Sequence, residues 1–145
     1  MKTKCITRFK LLRTQYKLSI SKFAKILNMK SPTSITNIEK GRALPSVEMI
    51  YKIISLFGVS VDWLMGASEI QYNESLIASI EEELKTKPFI KNNTELLKLL
   101  CSNKERTIEQ RSHIIFKLQY LELEFNEGKE KLDQLIIINL SELQE

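Results

Sequence analysis

Apolar residues recur every three or four positions in five short segments of the first 66 residues. In residues 6–17, Phe9, Leu12 and Tyr16 have the spacing of one buried helix face. The segment after Pro45 carries a similar stripe, made of Val47, Ile50, Tyr51, Ile54 and Phe57. Residues suited to cap helices precede three of the segments: Ser19, Ser46 and Ser60. The pattern predicts five short helices, and it lacks the alternation of a half-buried strand.

The second half of the chain continues the helical pattern with wider apolar stripes. Pro88 is predicted to end a helix over 73–87, Asn93 or Thr94 to cap the next, and Thr107 with Gln110 to form a capping box. Stripes at 114–125 and 132–143 hold more apolar surface than three or four short helices can cover, so we predict a partner interface. The alternative is a plain monomeric bundle. The candidate oligomerisation residues are Ile114, Ile115, Leu118, Leu121, Phe125, Leu132, Leu135, Ile136 and Leu140.

Charge divides the chain in the same way. The formal net charge is +4, but residues 1–66 hold 12 Lys and Arg against 3 Asp and Glu, a net charge of +9. Residues 67–145 hold 10 against 15, a net charge of −5. Because cationic side chains release counterions from a polyanion, the first part is suited to bind nucleic acid and the second is repelled by it. We therefore predict two domains, residues 1–68 and 69–145.

Several other classes of protein find no support in the sequence. The longest apolar run is far shorter than the roughly 20 residues of a membrane span, so no membrane association is expected. Cys5 and Cys101 belong to no CxxC motif, which favours a reduced, cytoplasmic setting. His113 is the single histidine, and the glutamates at 81–83 are most simply a solvated helix face. We expect no metal, no cofactor, no catalytic residues and no enzymatic activity.

The stretch "LNMKSPTSITNIEKG", residues 27–41, contains the most informative local pattern. Ser31 is a good N-cap, and Pro32 then lies at the first helical position, where a missing N–H costs nothing. Ile35 and Ile38 would point inward and Gly41 would end the helix. Short polar side chains are left on the outer face: Thr33, Ser34, Thr36 and Asn37. The pattern predicts a tight turn followed by a short helix with a polar outer face.

A helix, a tight turn and a second short helix with an exposed polar start is the geometry of a helix-turn-helix. Residues 8–66 resemble the lambda-repressor-like, XRE/Cro-type helix-turn-helix family. The resemblance lies in three segments, in their order and in their spacing: "LS…FAKIL", "SITNIEKGRALPS" and "IISLFGVSVDWLMG". The resemblance implies an all-α protein. Its five-helix N-terminal DNA-binding domain would be followed by a C-terminal helical region for oligomerisation.

The resemblance also implies roles for individual residues. Residues 19–28 would be the positioning helix, and residues 31–39 the recognition helix that enters the major groove. Base edges would be contacted by Thr33, Ser34, Thr36 and Asn37. Phosphates would be bound by Ile20, Ser21, Lys22, Lys30, Ser31, Lys40 and Arg42. Arg13 and Glu39 would form a structural pair. The expected partner is double-stranded DNA with a palindromic operator, bound by a homodimer or a higher homo-oligomer of a phage- or prophage-type repressor.

Three departures from the family pattern concern the positioning helix and the turn. Ile20 stands where the family usually has Gln, Asn28 replaces the usual turn glycine, and the turn is one residue longer than usual. The longer turn leaves the register of the base-contacting residues open by one position. A second function stays open, that of an antitoxin-like or antagonist-regulated module. In that case the C-terminal helices would bind a protein partner.

Overall fold

The computed structural model describes residues 2–125, which form two compact units that divide after Asn73. Over these residues the secondary structure is helical, and the one β-type pairing is an isolated bridge between Val59 and Tyr72. The predicted all-α class is therefore confirmed. The assignment of separate functions to residues 1–68 and 69–145 stays a prediction.

The N-terminal unit contains five helices, as predicted: α1 (Lys2–Gln15), α2 (Ile20–Ile26), α3 (Thr33–Glu39), α4 (Val47–Phe57) and α5 (Val61–Leu64). The three predicted serine caps are in place. The Ser19 hydroxyl accepts the N–H of Lys22, the Ser46 hydroxyl that of Met49, and the Ser60 hydroxyl that of Trp63. Each cap satisfies one amide that the first turn of a helix leaves without a backbone acceptor.

All five helices end at a residue in the left-handed conformation, with positive φ at Lys17, Asn28, Gly41, Gly58 and Gly66. After α2, the N–H of Asn28 donates to the Lys25 carbonyl at 3.0 Å, and the N–H of Met29 donates to the Ala24 carbonyl at 2.8 Å. This hydrogen-bond pair is a Schellman motif, which turns the chain sharply at a helix end. Short connections between the helices follow from these sharp ends.

Aromatic side chains from three helices form the centre of the N-terminal unit. The ring centroids of Phe9 and Phe23 are 5.2 Å apart, and those of Phe23 and Phe57 are 6.4 Å apart. On α4 the buried stripe is Met49, Ile53 and Phe57. Of the predicted stripe only Phe57 is buried: Ile50 and Ile54 are half-buried, Val47 is 84% exposed and Tyr51 is 71% exposed. Two apolar stripes on α4 have helical spacing, and packing in the unit buries only one of them.

The described part of the C-terminal unit contains α6 (Glu74–Leu84), α7 (Pro88–Lys91), α8 (Thr94–Cys101), a 3₁₀ turn (Asn103–Glu105) and α9 (Ile108–Phe125). Asn93 caps α8 through a 3.1 Å bond from the N–H of Leu96. Thr107 and Gln110 form the predicted capping box, with bonds of 3.1 and 3.2 Å. Pro88 begins a short helix of its own, because proline suits the first helical position. Helix α6 packs against α9, and α7 against α8.

Four candidate oligomerisation residues of α9 are covered within the single chain, although Leu123 on the same helix is 45% exposed. Ile114, Ile115, Leu118 and Leu121 are each no more than 2% exposed. These four residues therefore offer no exposed surface to a second chain in this structure, and their oligomerisation role stays a prediction. The remaining candidates lie outside the described residues or, for Phe125, outside the described side chains: Phe125, Leu132, Leu135, Ile136 and Leu140.

The prediction of a solvated glutamate face at 81–83 is wrong for Glu81, which is 4% exposed. Arg111 Nε donates to Glu81 Oε2 at 3.2 Å, and Arg111 Nη2 bonds the other carboxylate oxygen. The amide of Asn103 also donates to Glu81. The hydrogen bond with Glu81, followed by the Glu81 charge, raises the pKa of Arg111. A buried ion pair thus links α6 to α9, because helix spacing turns Glu81 inward beside Ile77, Ile80 and Leu84.

Candidate nucleic-acid interface

Helix α3 is anchored on one side and polar on the other. Ile35 and Ile38 are 0% and 2% exposed, so they hold the inner face in the core. Thr33, Thr36 and Asn37 are spaced i, i+3 and i+4, which places them together on the outer face. Thr33 is exposed and the other two are half-buried. The structure therefore brings three of the four predicted base-contacting side chains onto one face.

Ser34, the fourth of these residues, lies to the side of that face. It lines a cleft of about 410 Å³ between the turn and the start of α4, together with Lys30, Ser31 and Ser46. Because Ser34 is one position after Thr33, it is rotated about 100° around the helix axis. The structure thus separates Ser34 from the other predicted base contacts.

Helix α3 is assigned from Thr33 with Pro32 as its N-cap, so the predicted N-cap at Ser31 is one position too early. Pro32 already has helical dihedral angles, with φ −59° and ψ −20°. The Ser31 hydroxyl accepts the N–H of Thr33 at 3.2 Å and donates to the Thr33 hydroxyl at 3.0 Å. The Thr36 hydroxyl donates to the Pro32 carbonyl at 3.3 Å. Two of the small hydroxyls are thereby oriented before any ligand binds.

Arg13 and Glu39 connect α1 to the end of α3. Arg13 Nε donates to Glu39 Oε1 at 2.5 Å, and Nη2 donates to Oε2 at 3.3 Å. A third bond runs from Nη1 to the Leu18 carbonyl at 2.9 Å. The side chains are only 13% and 8% exposed. This bidentate ion pair positions α3 and neutralises the Glu39 carboxylate beside the polar face of the helix.

Cationic side chains surround α3. Lys30 is exposed before the helix, and Lys40 and Arg42 are exposed after it. Lys22 is exposed in the first turn of α2, where Ile20 and Ser21 also lie. Amides in a first helical turn point outward along the helix axis, which suits them to a phosphate. The predicted phosphate contacts are thus arranged around the start and the end of α3.

The turn between α2 and α3 depends on Asn28, which has φ +58°. Asparagine is among the residues that tolerate this left-handed conformation. Asn28 therefore serves in the place where the family usually has glycine.

Comparison with protein-family models gives a match to a family described as Helix-turn-helix, over residues 9–64. Residues 9–64 are therefore similar to the helix-turn-helix family. The match covers less than half of the 145 residues, and it supports a DNA-binding role for residues 9–64. Comparisons with curated proteins and with solved structures give no match. Within residues 2–125, no helix has the length and apolar content that crossing a membrane requires.

Arg8 is a residue of the N-terminal unit that sequence analysis missed. It is buried, with bonds to the carbonyls of Trp63 and Ser68 and a 3.0 Å ion pair with Glu69. Its guanidinium also lies 5.1 Å from the centroid of the Trp63 ring. The signal was available, because Arg8 lies on the stripe of Cys5, Phe9 and Leu12. A charged residue on a buried stripe requires a partner.

Lys52 is the second residue that sequence analysis missed. Its ammonium donates to the Leu27 carbonyl at 3.2 Å, at the end of α2, although Lys52 lies on α4. Its place beside the buried stripe of Met49 and Ile53 was the available signal. The turn of the helix-turn-helix therefore has support from outside the motif.

Proposed function

We propose that this protein is a DNA-binding regulator and that it recognises a specific duplex sequence by placing α3 in the major groove. The arrangement of apolar and polar side chains on α3 supports this function best. Its inner face is locked by Ile35 and Ile38, while Thr33, Thr36 and Asn37 form an outer polar face. The helix presents small side chains, so its backbone can approach the base edges closely.

The chemistry of the outer face suits base recognition. Asparagine can pair with adenine through two hydrogen bonds, and threonine can contact the thymine methyl group or bond to either base. Because the Thr36 hydroxyl donates to Pro32, it remains available to accept a bond from a base. We assign sequence discrimination to Thr33, Thr36 and Asn37, with Ser34 at the side of the groove.

The surrounding cations supply affinity without sequence information. Lys22, Lys30, Lys40 and Arg42 are exposed, and residues 1–66 carry a net charge of +9. Contacts with phosphates release counterions, so they make binding strongly dependent on salt concentration. Sequence discrimination and electrostatic affinity thus depend on different residues, and the two properties can be tested separately.

We further propose that the protein acts as a repressor of the phage or prophage type and binds a palindromic operator as a homodimer. A seven-residue recognition helix contacts few base pairs, and a dimer doubles the contacts by placing two such helices about 34 Å apart. We propose that the region after Asn73 supplies the contact between the two chains of the dimer. Sedimentation of the full-length protein with an operator duplex should give two chains per duplex, and one chain would exclude the dimer.

An unbiased selection of duplexes bound by the full-length protein tests the main proposal. We expect the selected duplexes to share a symmetric sequence motif. If no sequence is enriched at physiological salt, the proposal is refuted. On the selected duplex, Thr33→Ala and Asn37→Ala should each lose about 1–3 kcal/mol of discrimination. The control is Thr7→Ala, since Thr7 is an exposed α1 threonine whose hydroxyl bonds its own helix. It should leave discrimination unchanged.

The phosphate contacts are tested by salt dependence. Lys40→Ala should weaken binding to all duplexes alike and make the slope of log K against log salt shallower by about 0.9. Equal losses by Thr33→Ala on selected and random duplexes would refute its assignment as a base contact.

A further inference from the structure

The carbonyl of Leu27 is a backbone acceptor that the turn of the helix-turn-helix does not satisfy by itself. The Schellman motif at Asn28 uses the carbonyls of Ala24 and Lys25. Leu27 is the C-cap of α2, so its carbonyl lies beyond these two bonds and carries part of the negative end of the helix dipole. A cationic donor is the best partner for such a group.

Lys52 is that donor, and its position makes it a rigid support. Its ammonium lies 3.2 Å from the Leu27 carbonyl oxygen. Met49, Ile53 and Phe57 anchor α4 in the core on either side of Lys52. Lys52 and Leu27 both line the cleft of about 410 Å³ between α4 and the turn. The bond therefore joins the two walls of the cleft just before the chain enters α3.

The contact of Lys52 with Glu48 is longer and more exposed than its bond to the Leu27 carbonyl. Glu48, one turn earlier on α4, has a carboxylate oxygen 3.8 Å from the ammonium and a side chain that is 80% exposed. An exposed i, i+4 pair of this kind stabilises a helix by only a few tenths of a kcal/mol. The Lys52 side chain is 29% exposed, so its bond to Leu27 is partly shielded from water. The carbonyl bond determines where the ammonium lies.

We propose that Lys52 is a positioning residue for DNA recognition: it fixes the turn after α2 and so sets the orientation of α3 in the major groove. This inference rests on the proposed function. Lys52 acts through the Leu27 carbonyl and not through a phosphate. Its loss therefore lowers discrimination between sequences more than it lowers affinity for duplex DNA in general.

The test compares three variants of the full-length protein. Lys52→Met keeps the unbranched stem but removes the charge and the donor, whereas Lys52→Arg keeps both. Lys10→Met is the control, because it removes one positive charge from the exposed face of α1. All measurements are made where Trp63 fluorescence shows each variant to be folded.

We expect Lys52→Met to reduce the ratio of affinities for selected and random duplexes about tenfold. Random-duplex affinity and salt slope should match those of Lys10→Met, and Lys52→Arg should restore the ratio. A slope shallower by about 0.9 with an unchanged ratio overturns the inference, because Lys52 would then be a phosphate contact. An unchanged ratio with an unchanged slope overturns it as well.

Failure of the proposed function is distinguishable from failure of this inference. If the unsubstituted protein prefers no sequence, the proposed function fails, and amide hydrogen exchange then decides the role of Lys52. Faster exchange at Asn28, Met29 and Lys30 in Lys52→Met than in Lys10→Met supports positioning of the turn. Equal exchange in the two variants overturns it.

Discussion

Removing Arg13 should destabilise the N-terminal unit by about 3 kcal/mol. The Glu39 side chain is 8% exposed in the unsubstituted protein, and Arg13→Met would remove the two guanidinium bonds to its carboxylate. Breaking a buried pair by removing one partner costs about 3–5 kcal/mol. We take the lower end of this range because Arg13 is 13% exposed, so water can reach part of the site after substitution.

Urea unfolding measures this loss through the single tryptophan. Trp63 is 4% exposed in the N-terminal unit, so its fluorescence follows that unit. With a slope of about 1–3 kcal/mol per molar urea, the midpoint should fall by about 1–3 M. Lys10→Met on the same helix is the control and should change stability by no more than about 0.5 kcal/mol.

The double variant Arg13→Met with Glu39→Leu distinguishes an ion pair from simple packing. Replacing both charged partners with apolar residues should recover most of the loss, because no charge remains buried. If the losses of the two single variants simply add in the double variant, the two residues are not coupled and the argument is refuted. A loss below about 1 kcal/mol for Arg13→Met would refute it as well.

Three further predictions concern the turn, a surface carboxylate and the buried pair of the C-terminal unit. Because Asn28 has φ +58°, Asn28→Ala should lower the free energy of unfolding by about 1 kcal/mol, whereas Asn28→Gly should leave it unchanged. Trp63 fluorescence during urea unfolding measures both values. Equal losses in the two variants would contradict a backbone cause. The hydrogen bond from Lys4, then the Arg8 charge, lowers the pKa of Glu69 below its ordinary value of 4.5. The stability that Glu69 adds is therefore present above that value and lost as pH falls through the lowered pKa, so the melting temperatures of Glu69→Gln and the unsubstituted protein should converge in acid. Arg111→Leu should lower the free energy of unfolding of the C-terminal unit, followed by circular dichroism, by about 3–5 kcal/mol, because Glu81 is then buried without a positively charged partner. The exposed change Glu82→Gln should stay within about 0.5 kcal/mol, and similar losses in both would contradict the burial argument.

Local patterns predicted the helices of the N-terminal unit and their ends with few errors. Caps such as Ser19 and Ser46 depend on a side chain and an amide two or three residues away, so the neighbouring sequence contains the whole interaction. The capping box of Thr107 and Gln110 was predictable for the same reason. The two apolar anchors of α3 followed from helical spacing alone.

Long-range contacts were not predictable from local patterns. On α4, the stripe of Val47 and Tyr51 has the same periodicity as the stripe of Met49, Ile53 and Phe57, so periodicity could not choose between them. The run of glutamates at 81–83 likewise gave no sign that Arg111, 30 positions later, would bind the first of them. Both outcomes depend on which faces meet in the folded unit.

The sequence by itself determined that α3 exists, that Pro32 lies at its start, and that Thr33, Thr36 and Asn37 share its outer face. These features follow from dihedral preferences and helical spacing, which act over a few residues. Local patterns did not indicate that Arg13 would hold the end of α3, which only the family resemblance implied, and only the tertiary structure decided that Lys52 would bind the turn before it. Those two bonds join residues 26 and 25 positions apart, and only packing of the helices brings such residues within hydrogen-bond distance.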